Sequence, residues 1–245
     1  MKDHAHLATD PVGVAMLEKA APLSVSKEIT LLTCTAFCQM LARSRFYREE
    51  GVCGTSVHGM KCVWAASCLG MMRTPERLQE GCLNRAFTAD AAAAKELQAG
   101  IFAIGNTEKK YAGVVTAPLD LMPQEVDAIV IYLTPGQALR LIIGLLHKEG
   151  KALNCTITGQ ASVCASVARV LEGERATLDI PCLGDRTYGL VKDEEMVMVL
   201  NPAVMDELME GLAGTEMMAS HPFKPFLRWN ALFPPEFEPV GRELE

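Results

Sequence analysis

Residues 127–133 (DAIVIYL) and the Thr134-Pro135-Gly136 that follows constrain the fold most. The run is apolar, β-branched and without alternation, as a strand covered on both faces requires. Thr134 then supplies a helix cap and Pro135 a first-turn residue, so a helix is predicted through His147, with Gly150 ending it. A strand of this kind feeding a helix implies an α/β or α+β fold: a mixed central sheet with helices on its faces. The same region, residues 126–146, is the most apolar of the chain. It nevertheless contains Asp127, Pro135, Gly136, Gln137 and Arg140, and a bilayer span would have to bury that charge.

The rest of the chain supports one domain over residues 1–245. Strands are predicted at 12–16, 52–57, 111–117, 152–158 and 176–180, and 28–33 reads as a strand or the entry to the next helix. A hairpin is predicted from 187–191 and 196–200 around the polar turn Lys192-Asp193-Glu194-Glu195. Helices are expected at 35–48, 62–72, 90–98, 162–171 and 201–212, with a further one opened by Pro75, capped by Thr74 and ended by Gly81. Residues 213–245 carry Pro222, Pro225, Pro234, Pro235 and Pro239 and are expected to be irregular. Apolar residues make up 49 % of the chain, enough for a sizeable core. Net charge is −7, without the basic field that nucleic acid or an anionic membrane demands. No signal-peptide core stands at the N-terminus, so the cytoplasm is expected.

Six of the nine cysteines fall between Cys34 and Cys82. In a reducing compartment they read as buried residues, metal ligands or redox groups rather than disulfides. Cys53 and Cys62 are nine residues apart, as are Cys155 and Cys164. This echo suggests a pseudo-repeat, residues 28–72 against 130–174, with chance as its rival. In the repeat reading Cys62 and Cys164 begin matching helices, where a thiolate is stabilised.

Several stretches together have the look of a known family. They are Cys34-Thr-Ala-Phe, Lys61-Cys62 with small residues to Leu69-Gly70, Thr158-Gly159 followed by Cys164, and Pro135-Gly136-Gln137 with Leu139-Arg140-Leu141. The most specific is Ile180-Pro181-Cys182-Leu183-Gly184-Asp185-Arg186. The chain resembles the uncharacterised ArCR family (domain of unknown function 169) over roughly residues 12–212. The resemblance implies a cytoplasmic prokaryotic protein, frequent in anaerobes, and brings no established biochemical role with it.

Cys34, Cys62, Cys164 and Cys182 are the cysteines shared with that pattern. If they converge, four thiolates suit a tetrahedral zinc ion or a [4Fe–4S] cluster. Their spacing lacks the compact repeats of such sites, and cysteine is also among the most buried residue types. Gly184-Asp185-Arg186 follows a strand, where open α/β sheets place ligands. Arg186 could hold an anionic group and Asp185 could orient it or accept a proton; an Asp–Arg pair bracing the turn is an equal alternative. Thr158 and Gly159 precede a helix and could cradle an anion, or form an ordinary turn. His58 is read as a solvated turn residue. No Ser–His–Asp order, H-E-x-x-H or nucleotide fingerprint is present. The sequence thus points to a protein binding a metal, an iron–sulfur cluster or a small anionic cofactor in a cysteine-lined cleft, with redox chemistry as one use. The alternative is a non-catalytic small-ligand-binding protein with buried structural cysteines. Homo-oligomerisation is left open.

Overall fold

The computed structural model of the chain describes residues 5–18, 29–48, 50–219 and 221–223. Its strands are β1 (Val12–Leu17), β2 (Thr30–Leu31), β3 (Cys53–Ser56), β4 (Gly113–Pro118), β5 (Ala128–Leu133), β6 (Ala176–Asp179) and β7 (Met196–Leu200). They form one seven-stranded sheet in the order β2-β3-β4-β1-β5-β7-β6. Every pairing is antiparallel except β2 with β3, so the sheet is mixed.

Strand β5 shows why the run at 128–133 has no alternation. Val130 and Tyr132 point into one core, with Phe37, Val163 and Val167. Ile129, Ile131 and Leu133 point into another, with Leu141, Leu208 and Leu212. Each fully buried aliphatic side chain contributes about 1.5–3 kcal/mol through removal from water. The first face is covered by α1 (Phe37–Phe46), α2 (Val63–Cys68) and α6 (Ser162–Leu171); two further helices are α3 (Glu76–Gln79) and α4 (Ala91–Gly100). The second face is covered by α5 (Pro135–Leu146) and α8 (Met205–Gly214). Thr134 caps α5 as the sequence requires, accepting from the Gln137 N–H while the Gln137 side chain accepts from the Thr134 N–H at 2.7 Å. Helices α5 and α8 meet at two glycines: a Cβ on Gly211 would fall on the Gly144 carbonyl. The buried Arg140 of α5 closes the end of α8, donating to the Leu212 carbonyl and, at 2.8 Å, to Thr215 Oγ1.

Several expected elements differ. Residues 152–158 form no strand. Near β6 the Leu178 N–H donates to Cys155 Sγ at 3.3 Å. The hairpin is absent because β7 already has β5 on one edge and β6 on the other. Its expected first arm instead begins inside α7 (Leu183–Tyr188), and Leu190 takes a left-handed φ of 55°. The helix expected at 62–72 stops at Cys68, and Gly70 turns the chain with φ 64°. Pro75, not Thr74, occupies the cap position of α3. Within 213–245 a short helix, α9 (Glu216–Ala219), is present; residue 220 and residues 224–245 lie outside the described residues. Of the two echoing segments, the first contains β2, α1, β3 and α2, and the second β5, α5 and α6. Cys53 is buried in β3, whereas Cys155 is exposed.

Candidate functional site

A cleft of about 690 Å³ opens between the start of α1, the segment entering α2, and α7. The chain builds it from three fixed strips. The first holds Cys34 and Cys38. Its backbone is pinned to the second strip by two bonds, Thr35 N–H to the Gly59 carbonyl (3.0 Å) and Lys61 N–H to the Thr35 carbonyl (2.8 Å). Gly59 permits this closeness, since a Cβ there would collide with Thr55 Oγ1 and the Leu32 carbonyl. The second strip brings Lys61, Cys62 and Trp64 to the wall; the Trp64 indole is held by its N–H donating to Gln98 Oε1 at 3.1 Å. The third strip, α7, contributes Leu183, Gly184, Thr187 and Tyr188. Phe87 and Gln160 complete the lining. Lys61 is the one charged side chain on this wall, and no carboxylate faces the cleft among the described residues.

Behind Gly184 lies a buried polar cluster. Cys182 caps α7, and its sulfur faces the backbone N–H groups of Asp185, Ser162 and Gly184. Ser162 Oγ donates to the Ile180 carbonyl at 2.7 Å, which ties the start of α6 to this loop. Asp185 is 1 % exposed. Its carboxylate accepts from the Cys182 N–H at 3.2 Å, from the Val163 N–H, and from Tyr132 Oη at 3.4 Å. Burial pushes its pKa up to about 6, with the hydrogen bonds from Cys182 and Val163 opposing the rise. Asp179, also buried, is pushed up to about 6 by burial, with the Asp185 charge adding to it. The Cys182 thiol rises to about 11, by burial first and the Asp185 carboxylate second. Burial also raises the Cys38, Cys68 and Cys164 thiols. Beyond Tyr132 sits Arg45, whose guanidinium stacks on the ring at 4.2 Å and pairs with Glu195 at 2.6 Å.

The structure thus brings Cys62, Cys164 and Cys182 into one neighbourhood, where Cys38 and Cys68 feel the charges of Cys62 and Cys182. Cys34 stands exposed on the cleft wall. Among the described residues, no three His, Cys, Asp or Glu side chains are grouped closely enough to hold a metal ion. Zinc needs its thiolates at about 2.3 Å, so the set Cys34, Cys62, Cys164 and Cys182 does not fit zinc or a [4Fe–4S] cluster as it stands. Arg186 does not face the cleft wall: it donates to the Lys192 carbonyl at 2.6 Å and approaches Asp193, bracing the turn before β7. Asp185 and Arg186 have separate partners. Gly184 lines the cleft, while Thr158 donates to the Gln160 carbonyl at 2.8 Å and Gly159 supplies a turn with φ 69°. Sequence reasoning missed Trp64, Phe87, Gln160 and Tyr188 as wall residues. Cys38, which joins Cys34 on the wall, lies on the second residue of α1, whereas Cys34 precedes that helix.

A mixed α/β sheet carrying a thiol-lined cleft beside a buried Cys–Asp pair is the class of protein these features define. The chain belongs to the uncharacterised ArCR family (domain of unknown function 169), whose model matches residues 1–211. It is similar to the uncharacterized protein MJ0308 of Methanocaldococcus jannaschii, with 30% identity over 179 residues, 71% of this chain and 75% of that protein. No solved structure matches the chain. No helix among the described residues is long and apolar enough to cross a membrane.

Proposed function

We propose that the protein binds a small anionic organic molecule, flat enough to lie between aromatic rings, in the cleft between α1, α2 and α7. The observation that carries this reading is the wall itself: Trp64, Phe87 and Tyr188 beside Lys61, with no acid present, in a chain of net charge −7. Ligand sites are mostly apolar concavities with a few polar groups that fix orientation. Here Lys61, Gln39, Gln160 and Thr187 are those groups. The same reading keeps the protein in the cytoplasm, where its thiols stay reduced, and assigns it small molecules rather than nucleic acid. Metal or cluster binding is not part of the proposal, because the donors do not group.

The test is a titration of tryptophan fluorescence with 2-naphthoate and, in parallel, with 2-naphthamide. Naphthoate should bind more tightly than the amide. Lys61→Glu should weaken naphthoate about two- to fivefold, the range of a solvent-exposed charge pair, and leave the amide unchanged. Equal binding of acid and amide, or indifference to Lys61→Glu, overturns the reading.

A further inference from the structure

We infer that the ligand of the cleft carries an α-amino-acid group at the end away from its aromatic acid, held in a second chamber by Arg43 and Glu50. This deepens the reading above by naming a ligand class, and it rests on the cleft being where the aromatic acid lies.

The cleft does not end at Gln39. A chamber of about 440 Å³ adjoins it, and the two share Cys34, Thr35, Gln39 and Tyr188 as lining. Arg43 stands one turn of α1 beyond Gln39 and on the same face, roughly 6 Å further along the axis. A flat acid held at Lys61 therefore leaves room for a further part of the same molecule.

The second chamber also differs in charge. Lys61 is alone in the first, whereas the charged lining of the second, among the described residues, is one cation and one anion, Arg43 and Glu50. An α-amino-acid group offers a carboxylate and an ammonium on one carbon, and so complements both. A second bare acid would meet the Glu50 carboxylate, and a bare amine would meet the Arg43 guanidinium.

The pair is placed by the main chain and is not consumed by its own contact. Arg43 Nε donates to the Glu50 carbonyl at 2.7 Å, which ties the guanidinium to the chain just after α1. The two charged groups meet only at 3.4 Å, beyond the about 2.7–2.9 Å of a close charge-assisted bond. Arg43 Nη1 and Glu50 Oε1 make no bond among the described residues. Each partner thus has hydrogen-bonding capacity left for a ligand group of opposite sign.

The probe is L-4-carboxyphenylalanine, an aryl acid with an amino-acid group at its far end, titrated into the full chain by calorimetry. Two analogues each lack one charge: 3-(4-carboxyphenyl)propionate has no ammonium, and 4-(2-aminoethyl)benzoate has no α-carboxylate. The amino acid should bind more tightly than either. Arg43→Gln should weaken it about two- to fivefold and should not weaken the aminoethyl compound. Glu50→Gln should weaken it by about the same factor and should not weaken the propionate. Naphthoate, which occupies the first chamber only, should bind both variants as it binds the parent, which separates a lost contact from a lost fold. Should Arg43→Gln disturb naphthoate as well, Glu50→Gln decides alone, since its main-chain carbonyl still accepts from Arg43. Equal binding of the three compounds, or a propionate that binds best and tightens in Glu50→Gln, overturns the proposal. Naphthoate binding that depends on Lys61 alongside equal binding of the three compounds removes this inference alone. Amino-acid binding that depends on Arg43 and Glu50 but not on Lys61 removes the placing of the aromatic acid and keeps the second chamber.

Discussion

Asp185→Asn should change the pH dependence of stability in a calculable way. The carboxyl is 1 % exposed, and burial lifts its pKa from 3.8 to about 6. At about 1.4 kcal/mol per pH unit, that rise is worth roughly 3 kcal/mol. Between pH 4 and 6 the folded chain keeps a proton that the unfolded chain has lost. Stability from this group is therefore fullest below about pH 4, falls as pH rises to about 6, and is level above. Asp179 is raised in the same direction, by burial first, and the Asp185 charge adds to that rise. The asparagine cannot ionise, and at low pH it resembles the protonated carboxyl in offering one carbonyl acceptor. Urea unfolding of both proteins at intervals from pH 4 to 8 gives the difference directly. Relative to the variant, the wild type should lose roughly 3 kcal/mol between pH 4 and 7. A difference that stays constant with pH, or grows as pH rises, would refute the argument that Asp185 is held buried without a compensating cation.

The cleft titration described above gives a further expectation: a naphthoate affinity that falls about two- to fivefold in Lys61→Glu. Gly211→Ala should cost several kcal/mol, measured by thermal unfolding, because the added methyl meets the Gly144 backbone carbonyl rather than a side chain that can yield. A Gly211→Ala variant as stable as the wild type would mean that α5 and α8 do not pack glycine against glycine.

Local signals were legible where one residue decided them. Thr134, Asp90 and the unbroken run at 128–133 each placed an element, because a cap or a doubly covered strand is specified by its own side chains. Residues 152–158 misled because a short apolar stretch states a preference for extension but not whether a sheet edge will pair with it. The hairpin failed for a related reason. The strand at 196–200 was read correctly, but its partners, β5 and β6, are chosen by the topology of the whole sheet. At the site, sequence indicated the loop that bears Cys182, Gly184 and Asp185. It could not show that Arg186, next in the chain, turns to the Lys192 carbonyl, since neighbouring residues on a helix face different ways. Trp64, Phe87 and Tyr188 read as ordinary apolar residues until the fold set them around one opening.

The most direct measurement is protection of Cys62 from iodoacetamide by 2-naphthoate, followed by peptide mass. Cys62 is on the cleft wall, whereas Cys82 and Cys155 are exposed elsewhere. Saturating naphthoate should slow alkylation of Cys62 severalfold and leave Cys82 and Cys155 at their original rates. Unchanged alkylation of Cys62 under saturation, or equal slowing of all three, would contradict a ligand site in this cleft.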